Sequence, residues 1–276
     1  MKKLYISLCL ALLLVPGVRC PGQNPIAYYP FTGNANDASG NNLNGTLYGN
    51  PVLTTDLHGT PNSAYLFNGN NDFISLGDSP ILKPTSAVSL SLFAYSSSWA
   101  GYINDAALAG NTQNGGYELY MDSGILKAYA RRNGIYGIAQ YSIASLSAGW
   151  HHFAMTFDGR YTILYIDGVA VNTNDAGATY PLQYGTPGNH TLIGAEAGSV
   201  LTEGDYFNGK IDEVRFYNIA LTPAQIASLY TSALGLDQHD SDPFVLKTYV
   251  DETANELVIS LSLKGSAMID ILLYDI

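Results

Sequence analysis

Apolar residues along this chain of 276 residues come in short runs, separated by Gly, Asn, Asp and Ser. Within these runs, apolar and polar positions alternate or stay apolar for only a few residues, which is typical of β-strands. The pattern predicts ten strands, over residues 27–31, 64–67, 73–76, 88–95, 117–121, 126–130, 152–157, 162–166, 190–193 and 211–217.

The last of these runs has the clearest alternation. Within residues 210–217, a strict period of two predicts that Asp212 shares a face with Val214 and Phe216. A carboxylate among apolar side chains needs a cation, a metal ion or several hydrogen-bond donors. Asp212 is therefore a candidate for a specific role.

A short helix is predicted directly after that strand, over residues 222–234. Thr222 fits an N-cap, Pro223 fits the first helical position, and Gln225 stands where a capping box needs it. Apart from the N-terminal segment, the rest of the sequence shows no convincing helical periodicity.

Two Asp-Gly pairs, at 158–159 and 167–168, enclose the apolar run YTILYI. Asp-Gly between strands is a strong hairpin signal, because both turn residues take positive φ. The runs WHHFAMTF, YTILYI and VAVNT are therefore predicted to form a meander. Many short antiparallel strands joined by turns indicate a sandwich of two sheets.

Four stretches of the chain resemble laminin-G-like domains of the concanavalin-A-like lectin/glucanase superfamily. In chain order they are AYYPFTGNANDASGNNLNGTLYG, AYLFNGNNDFISLGD, WHHFAMTFDG…LYIDGV and YFNGKIDEVRFYNIALTPAQIASLY. The resemblance implies an all-β fold, an antiparallel two-sheet jelly-roll sandwich with a short C-terminal helix. We assign this domain to residues 24–232.

The N-terminal segment and the charge indicate where the protein acts. Residues 1–22 have a positive start and an apolar run too short to span a bilayer, which predicts a signal peptide and a secreted or cell-surface location. Attachment to an outer membrane through Cys20 is left open. Removing this segment changes the formal charge from −11 to −14, which argues against nucleic acid as a partner. No later segment predicts a transmembrane span, and the oligomeric state is left open.

Two segments follow the predicted sandwich. Residues 233–243 (ALGLDQHDSDP) predict a linker. Residues 244–276 have two strand-like runs with a bend at 264–265, and they resemble part of a type IX secretion C-terminal sorting domain without its Pro-bearing opening. The resemblance implies a sorting signal. The alternative is a pair of strands that packs on the sandwich.

An Asn-rich loop at residues 33–45 (GNANDASGNNLNG) is the first candidate for chemistry. Calcium prefers several oxygen ligands from carboxylates, amides and carbonyls. The laminin-G-like resemblance implies a structural calcium ion between this loop and the closing strand, held by Asp37, Asn42, Asn44 and Asp212. An exported chain with at most one cysteine has no internal disulfide, so a metal would add stability. The alternative is a turn whose side chains bond their own backbone.

The aromatic and polar stretch 99–141 is the second candidate. A sugar offers apolar C–H faces and hydroxyls, so its site needs aromatic rings beside amide, carboxylate or guanidinium groups. Alternation in YELYM and LKAYARR creates one such outer face if the two strands are neighbours. The predicted ligand-binding residues are Trp99, Tyr102, Glu118, Tyr120, Tyr129 and Arg131. The alternative is that these tyrosines only pack.

A hydrolase is the less favoured interpretation. The superfamily includes glucanases, whose retaining members need two carboxylates about 5 Å apart, but their E-x-D-x-E pattern is missing here. Glu203 and Asp205 have the alternate spacing without a third partner, and the sequence suggests no Ser-His-Asp arrangement. We expect a non-catalytic module for extracellular polysaccharide or glycoprotein, with structural calcium. The main alternative is an adhesion or protein-interaction module.

Overall fold

The computed structural model describes residues 24–111, 115–185, 190–196 and 203–235, and the backbone of three strands within 244–273. One compact unit comprises Gln23–Gly235, and the three later strands belong to a second unit. The predicted signal peptide lies outside the described residues, as does most of the predicted linker. In the described part, no helix has the length and apolar character that crossing a bilayer requires.

Short strands make up most of the first unit. In chain order the described elements are β1 (Ala27–Tyr29), β2 (Thr46–Tyr48), β3 (Val52–Thr54), β4 (Ala64–Asn68), β5 (Phe73–Ser75), β6 (Val88–Ser96), β7 (Ala106–Asn111), β8 (Tyr117–Asp122), β9 (Ile125–Arg132), β10 (Ile135–Ser142), β11 (Gly149–Phe157), β12 (Tyr161–Ile166), β13 (Val169–Asp175), β14 (Leu192–Ile193), β15 (Asn208–Tyr217) and helix α1 (Pro223–Ala233).

The strands form two antiparallel sheets. Sheet A has the order β13-β12-β11-β6-β15-β4-β3, and β1 pairs with β15. Sheet B has the order β10-β9-β8-β7-β14-β5-β2. Strands distant in sequence are neighbours in both sheets, as in a jelly-roll. The prediction of an all-β sandwich with one short C-terminal helix is confirmed.

An aromatic-rich core lies between the sheets. Fully buried rings come from both sheets, including Phe67, Phe153 and Phe216 from sheet A and Tyr117 from sheet B. Burying a side chain of this size contributes about 2 kcal/mol. Because inward positions alternate with outward ones, the core also determines which residues the outer faces display.

All ten predicted strands are present, but the sequence pattern missed β2, β3, β7 and β10. The side chains of β2 are exposed and those of β3 are exposed or half-buried, so neither strand has apolar alternation. Strand β7 reads AALAGN, whose small residues fit a strand only because sheet B buries them on both faces.

One predicted Asp-Gly turn has the expected conformation and the other does not. Asp167 and Gly168 both have positive φ, 49° and 78°, and join β12 to β13. At the first turn only Gly159 has positive φ, because the Asp158 carboxylate accepts hydrogen bonds from the backbone N–H groups of Arg160 and Tyr161 in a longer loop.

The predicted capping box of helix α1 is confirmed. The Thr222 hydroxyl accepts from the Gln225 N–H at 3.3 Å, and the Gln225 side chain accepts from the Thr222 N–H at 2.8 Å. Two otherwise unpaired donors at the helix start are thereby satisfied.

The closing strand β15 contains a β-bulge that the sequence did not reveal. Its register against β6 shifts after Asp212, and Glu213 has a φ of 56°. Ile211, Val214 and Phe216 all lie in the core, so the extra residue reverses the alternation between them. The predicted face shared by Asp212, Val214 and Phe216 is therefore wrong, and Asp212 points away from the core.

The second unit contains three described strands, β16 (Phe244–Asp251), β17 (Glu256–Leu263) and β18 (Ala267–Leu273). They form an antiparallel sheet in the order β16-β17-β18. The sequence predicted two strand-like runs where the structure has three strands. The sorting-signal interpretation stays a prediction.

Candidate functional site

The outer face of sheet B is the first candidate surface. The core residues of β8 and β9 include Leu119, Met121, Ala128 and Ala130. The residues that alternate with these lie on the outer face, namely Glu118, Tyr120, Tyr129 and Arg131, and Glu118 and Tyr120 are buried there. Strands β8 and β9 are neighbours, with Glu118 directly opposite Tyr129. The outer face was predicted on condition that these two strands are neighbours, and the structure meets that condition.

Three tyrosine rings cross this face from β8 to β10, and we call them the tyrosine row. The Tyr120 and Tyr129 centroids are 5.8 Å apart at an interplanar angle of 67°, and Tyr129 and Tyr136 are 5.5 Å apart at 71°. Edge-to-face contacts of this kind fix aromatic rings relative to one another. Tyr129 and Tyr136 are half-buried, so part of each remains accessible to a ligand.

Cationic groups flank the row. The Arg131 guanidinium lies 4.9 Å from the Tyr136 ring centroid, and the Lys127 ammonium lies 5.9 Å from that of Tyr129. Lys127 also forms an ion pair with Asp122. Rings and cations hold each other in place at such distances.

An acidic group from a distant loop completes the face. The Tyr120 hydroxyl donates to Asp205 Oδ2 at 2.6 Å. Burial, followed by this hydrogen bond, raises the pKa of Tyr120 far above its usual value. Burial likewise raises the pKa of Tyr129 and Tyr136, so all three keep their hydroxyl protons at ordinary pH. The face thus combines neutral hydroxyls, ring surface, cations and carboxylates.

The structure separates Trp99 and Tyr102 from this face. Trp99 is fully buried, and its Nε1 donates to the Gly149 carbonyl at 2.9 Å. Tyr102 is 9% exposed, stacks on Phe207 at 5.6 Å and accepts a hydrogen bond from the Asn208 N–H. The sandwich core surrounds the Trp99 ring, so Trp99 does not belong to this face, and its contact with a ligand stays a prediction.

The predicted ligand-binding residues do not include Tyr136, Lys127 and Asp205, although Tyr136 and Lys127 lie within the predicted stretch 99–141. Asn133-Gly134 was an available signal for Tyr136, because this pair forms a two-residue turn with φ of 47° and 77°. The turn places Tyr136 opposite Arg131. No local signal identifies Asp205, which reaches Tyr120 from a part of the chain 85 residues away.

The Asn-rich loop is organised by Asp37. Its Oδ1 accepts from the N–H groups of Tyr28 and Ser39, and its Oδ2 accepts from the Ser39 hydroxyl and the Leu43 N–H. Burial raises the pKa of Asp37, but these hydrogen bonds outweigh it and the net pKa is lowered. A carboxylate has about four lone-pair sites, and donors occupy them here. This arrangement fits the alternative of a hydrogen-bonded turn.

The other predicted calcium ligands do not complete a metal site. Asn44 Oδ1 accepts from the Asp37 N–H, and Asn42 is exposed with a φ of 59°. Asp212 lies on the outer face of sheet A, with its Oδ1 accepting from the Glu213 N–H. Within the described ranges, no cluster of three or more His, Cys, Asp or Glu side chains is arranged for a metal. These residues do not fit the implied ion.

We expect chelation to leave the thermal stability of the domain unchanged and Asp37→Ala to lower its stability by about 2–3 kcal/mol, because the loop loses charge-assisted hydrogen bonds. Thermal denaturation with and without EDTA checks both. Asn36→Ala, in the same loop and exposed, is the matched control. A fall in melting temperature with EDTA that Asp37→Ala abolishes would instead establish a calcium site.

A hydrogen-bonded chain of Ser147, His151 and Asp167 has the residue types of a catalytic triad, and sequence reasoning missed it. His151 Nδ1 lies 2.7 Å from Asp167 Oδ2, and its Nε2 lies 3.3 Å from Ser147 Oγ and 3.1 Å from the Ser147 carbonyl oxygen. A carbonyl only accepts, so the contact of Nε2 with the Ser147 carbonyl oxygen needs a proton on that nitrogen. The Asp167 hydrogen bond correspondingly raises the pKa of His151. A triad base needs Nε2 free to accept the serine proton, and the contact of Nε2 with a carbonyl oxygen does not favour that.

A family model provides independent evidence for the fold. The Laminin_G_3 model, described as concanavalin A-like lectin/glucanases superfamily, matches residues 68–227, which is more than half of the chain. The chain belongs to the concanavalin A-like lectin/glucanases superfamily. The matched range contains the whole tyrosine row and Asp205, so the candidate surface lies in the part that defines this superfamily domain.

Solved structures similar to this superfamily member include a sugar complex. Domain 4 of a GH43 extracellular arabinanase from Geobacillus stearothermophilus, in complex with arabinotriose, has a TM-score of 0.56 and 20% identity, covering 75% of this chain and 98% of that domain. The receptor binding domain of botulinum neurotoxin C/D mosaic serotype has a TM-score of 0.60 and 14% identity, covering 88% of this chain and 62% of that one.

A third structure is the binding domain of botulinum neurotoxin DC in complex with SialylT, with a TM-score of 0.58 and 12% identity over 88% of this chain and 63% of the other. The chain thus spans less than two thirds of the toxin domains. No protein of curated function matches the sequence. At these identities the superfamily likeness concerns the fold.

Proposed function

We propose that this protein is a secreted or cell-surface module that binds extracellular glycans without cleaving them, through the outer face of sheet B. The tyrosine row is the observation that carries the proposal. Its rings, of which Tyr129 and Tyr136 are half-buried and Tyr120 is 9% exposed, are spaced 5.5 and 5.8 Å apart beside the Arg131 guanidinium and the Asp205 carboxylate. This combination suits a ligand that is apolar on its faces and rich in hydroxyls around its rim.

The rigidity of the face supports binding. Edge-to-face contacts and the Tyr120–Asp205 hydrogen bond fix the rings, so little side-chain freedom remains to be lost when a ligand binds. The arabinanase domain, solved with arabinotriose, supports a sugar as the ligand class. Export to the surface is supported by the sequence of residues 1–22, which lie outside the described structure.

The carboxylates argue for binding over hydrolysis. A glycosidase needs a general acid and a second carboxylate that reach the scissile bond from opposite sides. Glu118 is 1% exposed, and Asp205 Oδ2 is held by the Tyr120 hydroxyl. The proposal leaves calcium out, because the Asp37 hydrogen bonds favour the turn. Release of reducing sugar by the protein, abolished by Glu118→Gln or Glu203→Gln, would establish a hydrolase instead.

We expect Tyr129→Ala and Tyr136→Ala each to weaken glycan binding about 30-fold, because each removes an accessible ring of the face. Glycan-array screening of the secreted chain, followed by calorimetry with the best oligosaccharide and with arabinotriose, measures the effect. Tyr161→Ala is a matched control. Tyr161 is also half-buried beneath an arginine, with Arg160 at 4.9 Å, but it lies on β12 of sheet A.

The same screen separates the alternative of a protein-interaction module. Binding to no glycan, together with a partner protein whose affinity falls on Tyr129→Ala, would replace the glycan proposal. Equal losses for Tyr129→Ala and the Tyr161→Ala control would place the binding surface elsewhere.

A further inference from the structure

A second row of side chains crosses the outer face of sheet A, and we call it the cross-strand row. It consists of Val52, Leu66, Lys210, Tyr95 and Trp150, each paired in register with the next. They come from the adjacent strands β3, β4, β15, β6 and β11. With neighbouring strands about 4.8 Å apart, the row is roughly 19 Å long.

The side chains of this row are accessible at the surface. Val52 is 51% and Leu66 is 42% exposed, and Lys210, Tyr95 and Trp150 are half-buried. Their immediate neighbours Ala94 and Ile211 point into the core. The row therefore faces outward, on the opposite side of the sandwich from the tyrosine row.

A cleft of about 350 Å³ lies alongside the row. Tyr95, Lys210 and Leu66 line it together with the hydroxyls of Ser96–Ser98 and the amides of Asn104 and Asn208. Small-molecule sites in proteins begin at about this volume and combine apolar surface with a few polar groups. The cleft has space for one sugar residue, and the row continues beyond it.

Lys210 gives the cleft its charge. Its Nζ lies 5.1 Å from the Tyr95 ring centroid and 3.2 Å from Thr55 Oγ1. In the described part of the chain it forms no ion pair, whereas Lys83, Lys127 and Arg160 each do. An ammonium has three donors, so Lys210 can still donate to an anion. Such a group stands out in a protein with a formal charge of −11.

We propose that the cross-strand row and its cleft form a second glycan-binding site, which takes a sugar bearing a carboxylate. Lys210 and the Asn208 amide would hold the carboxylate, the cleft serines would bind hydroxyls, and the Trp150 indole would pack on a C–H face. Tyr95 packs edge-on against Trp150 at 5.7 Å and 61°, which holds the indole in place. This site is independent of the proposed binding by sheet B.

The test uses carboxylated polysaccharides and the secreted chain. We measure retention by polygalacturonate, alginate and hyaluronate in affinity electrophoresis, with methyl-esterified polygalacturonate as the neutral counterpart. At least one acidic polymer is expected to bind, and Lys210→Gln to weaken that binding about tenfold, as loss of one charge-assisted hydrogen bond does. Lys210→Arg is expected to keep most of the affinity. Lys83→Gln removes an equal charge elsewhere and is the control.

The possible outcomes distinguish binding at the cross-strand row from binding at the tyrosine row. Loss with Lys210→Gln and Trp150→Ala but not with Tyr129→Ala supports the second site, whether or not sheet B binds any glycan. The proposal is overturned if none of the three acidic polymers binds, or if Lys210→Gln and Lys83→Gln act alike. It is also overturned if esterified polygalacturonate binds as well as the acid. Melting temperatures confirm that each variant is folded. If Trp150→Ala does not fold, the comparison of Lys210→Gln with Lys210→Arg still tests the proposal.

Discussion

Replacing Asp212 by Asn is expected to stabilise the folded domain at pH 9 by on the order of 4 kcal/mol. Asp212 is 2% exposed, and burial, followed by the negative charge of Glu213, raises its pKa to about 8. In the unfolded chain the carboxyl ionises near pH 4. The folded state therefore binds more protons between these two pH values, and stability falls as the pH rises through that window. Asn has the same shape and no charge to bury.

The surroundings of Asp212 explain why ionisation of its carboxyl destabilises the folded domain. It pairs in register with Phe93, whose ring stacks 6.3 Å from Tyr230 of helix α1. Its Oδ1 accepts from the Glu213 N–H at 2.7 Å, and Asn can accept the same bond. The bulge turned this residue away from the core, but helix α1 covers that part of the outer face.

Chemical denaturation of wild type and Asp212→Asn at several pH values between 4 and 9 measures the effect. The difference should be near zero at pH 4 and largest above pH 8. Asp175→Asn is the control whose effect should stay constant above about pH 5, because its hydrogen bond with Arg160 lowers the pKa of Asp175 to about 2 and the carboxyl is ionised in both states there. A difference for Asp212→Asn that does not change with pH would contradict the account.

Wild type must be compared with the Asp212→Asn variant because a second buried group, His152, changes the folding stability with pH in the opposite direction. His152 is fully buried, and burial lowers its pKa to about 3. The unfolded chain takes up this proton near pH 6.5, so His152 makes the domain less stable as the pH falls from there towards 3. Between pH 4 and 6.5 the two contributions oppose each other. The wild-type profile alone would therefore conceal both of them.

Local sequence signals predicted the strands and the helix because each depends on nearby residues. The Thr222–Gln225 capping box formed as predicted, and so did the two-residue turn at Asp167-Gly168. The face of Asp212 could not be predicted this way. A bulge depends on how a strand pairs with its neighbours, and one extra residue reverses the alternation.

The candidate surface was predictable only in part, for a related reason. Alternation placed Glu118 and Tyr129 on one face, and β8 and β9 are sequential strands that pair directly. Asp205, in contrast, reaches Tyr120 across 85 residues of sequence. The cross-strand row joins five strands that are mostly distant in sequence. Contacts set by the order of strands in a sheet leave no mark on local periodicity.

The burial of Trp99 is likewise set by contacts that the local sequence does not reveal. Replacing Trp99 by Ala is expected to destabilise the domain by about 4 kcal/mol. The side chain is fully buried, with Phe153 edge-on at 5.1 Å and Phe207 at 6.4 Å. Removing the indole leaves a cavity among these rings. It also leaves the Gly149 carbonyl, at the start of β11, without its Nε1 donor.

Urea denaturation measures this loss, and oligosaccharide calorimetry on the folded variant separates the two roles considered for Trp99. Trp99→Phe should lose less stability, because it keeps most of the ring packing and gives up the hydrogen bond. Affinity at the tyrosine row should stay unchanged in both variants, since that surface lies on the outer face of sheet B and Trp99 lies in the core. Unchanged stability with lost glycan binding would restore Trp99 as a ligand contact, as its sequence context had predicted. A loss of stability with intact binding would establish it as a core residue that keeps the start of β11 in place.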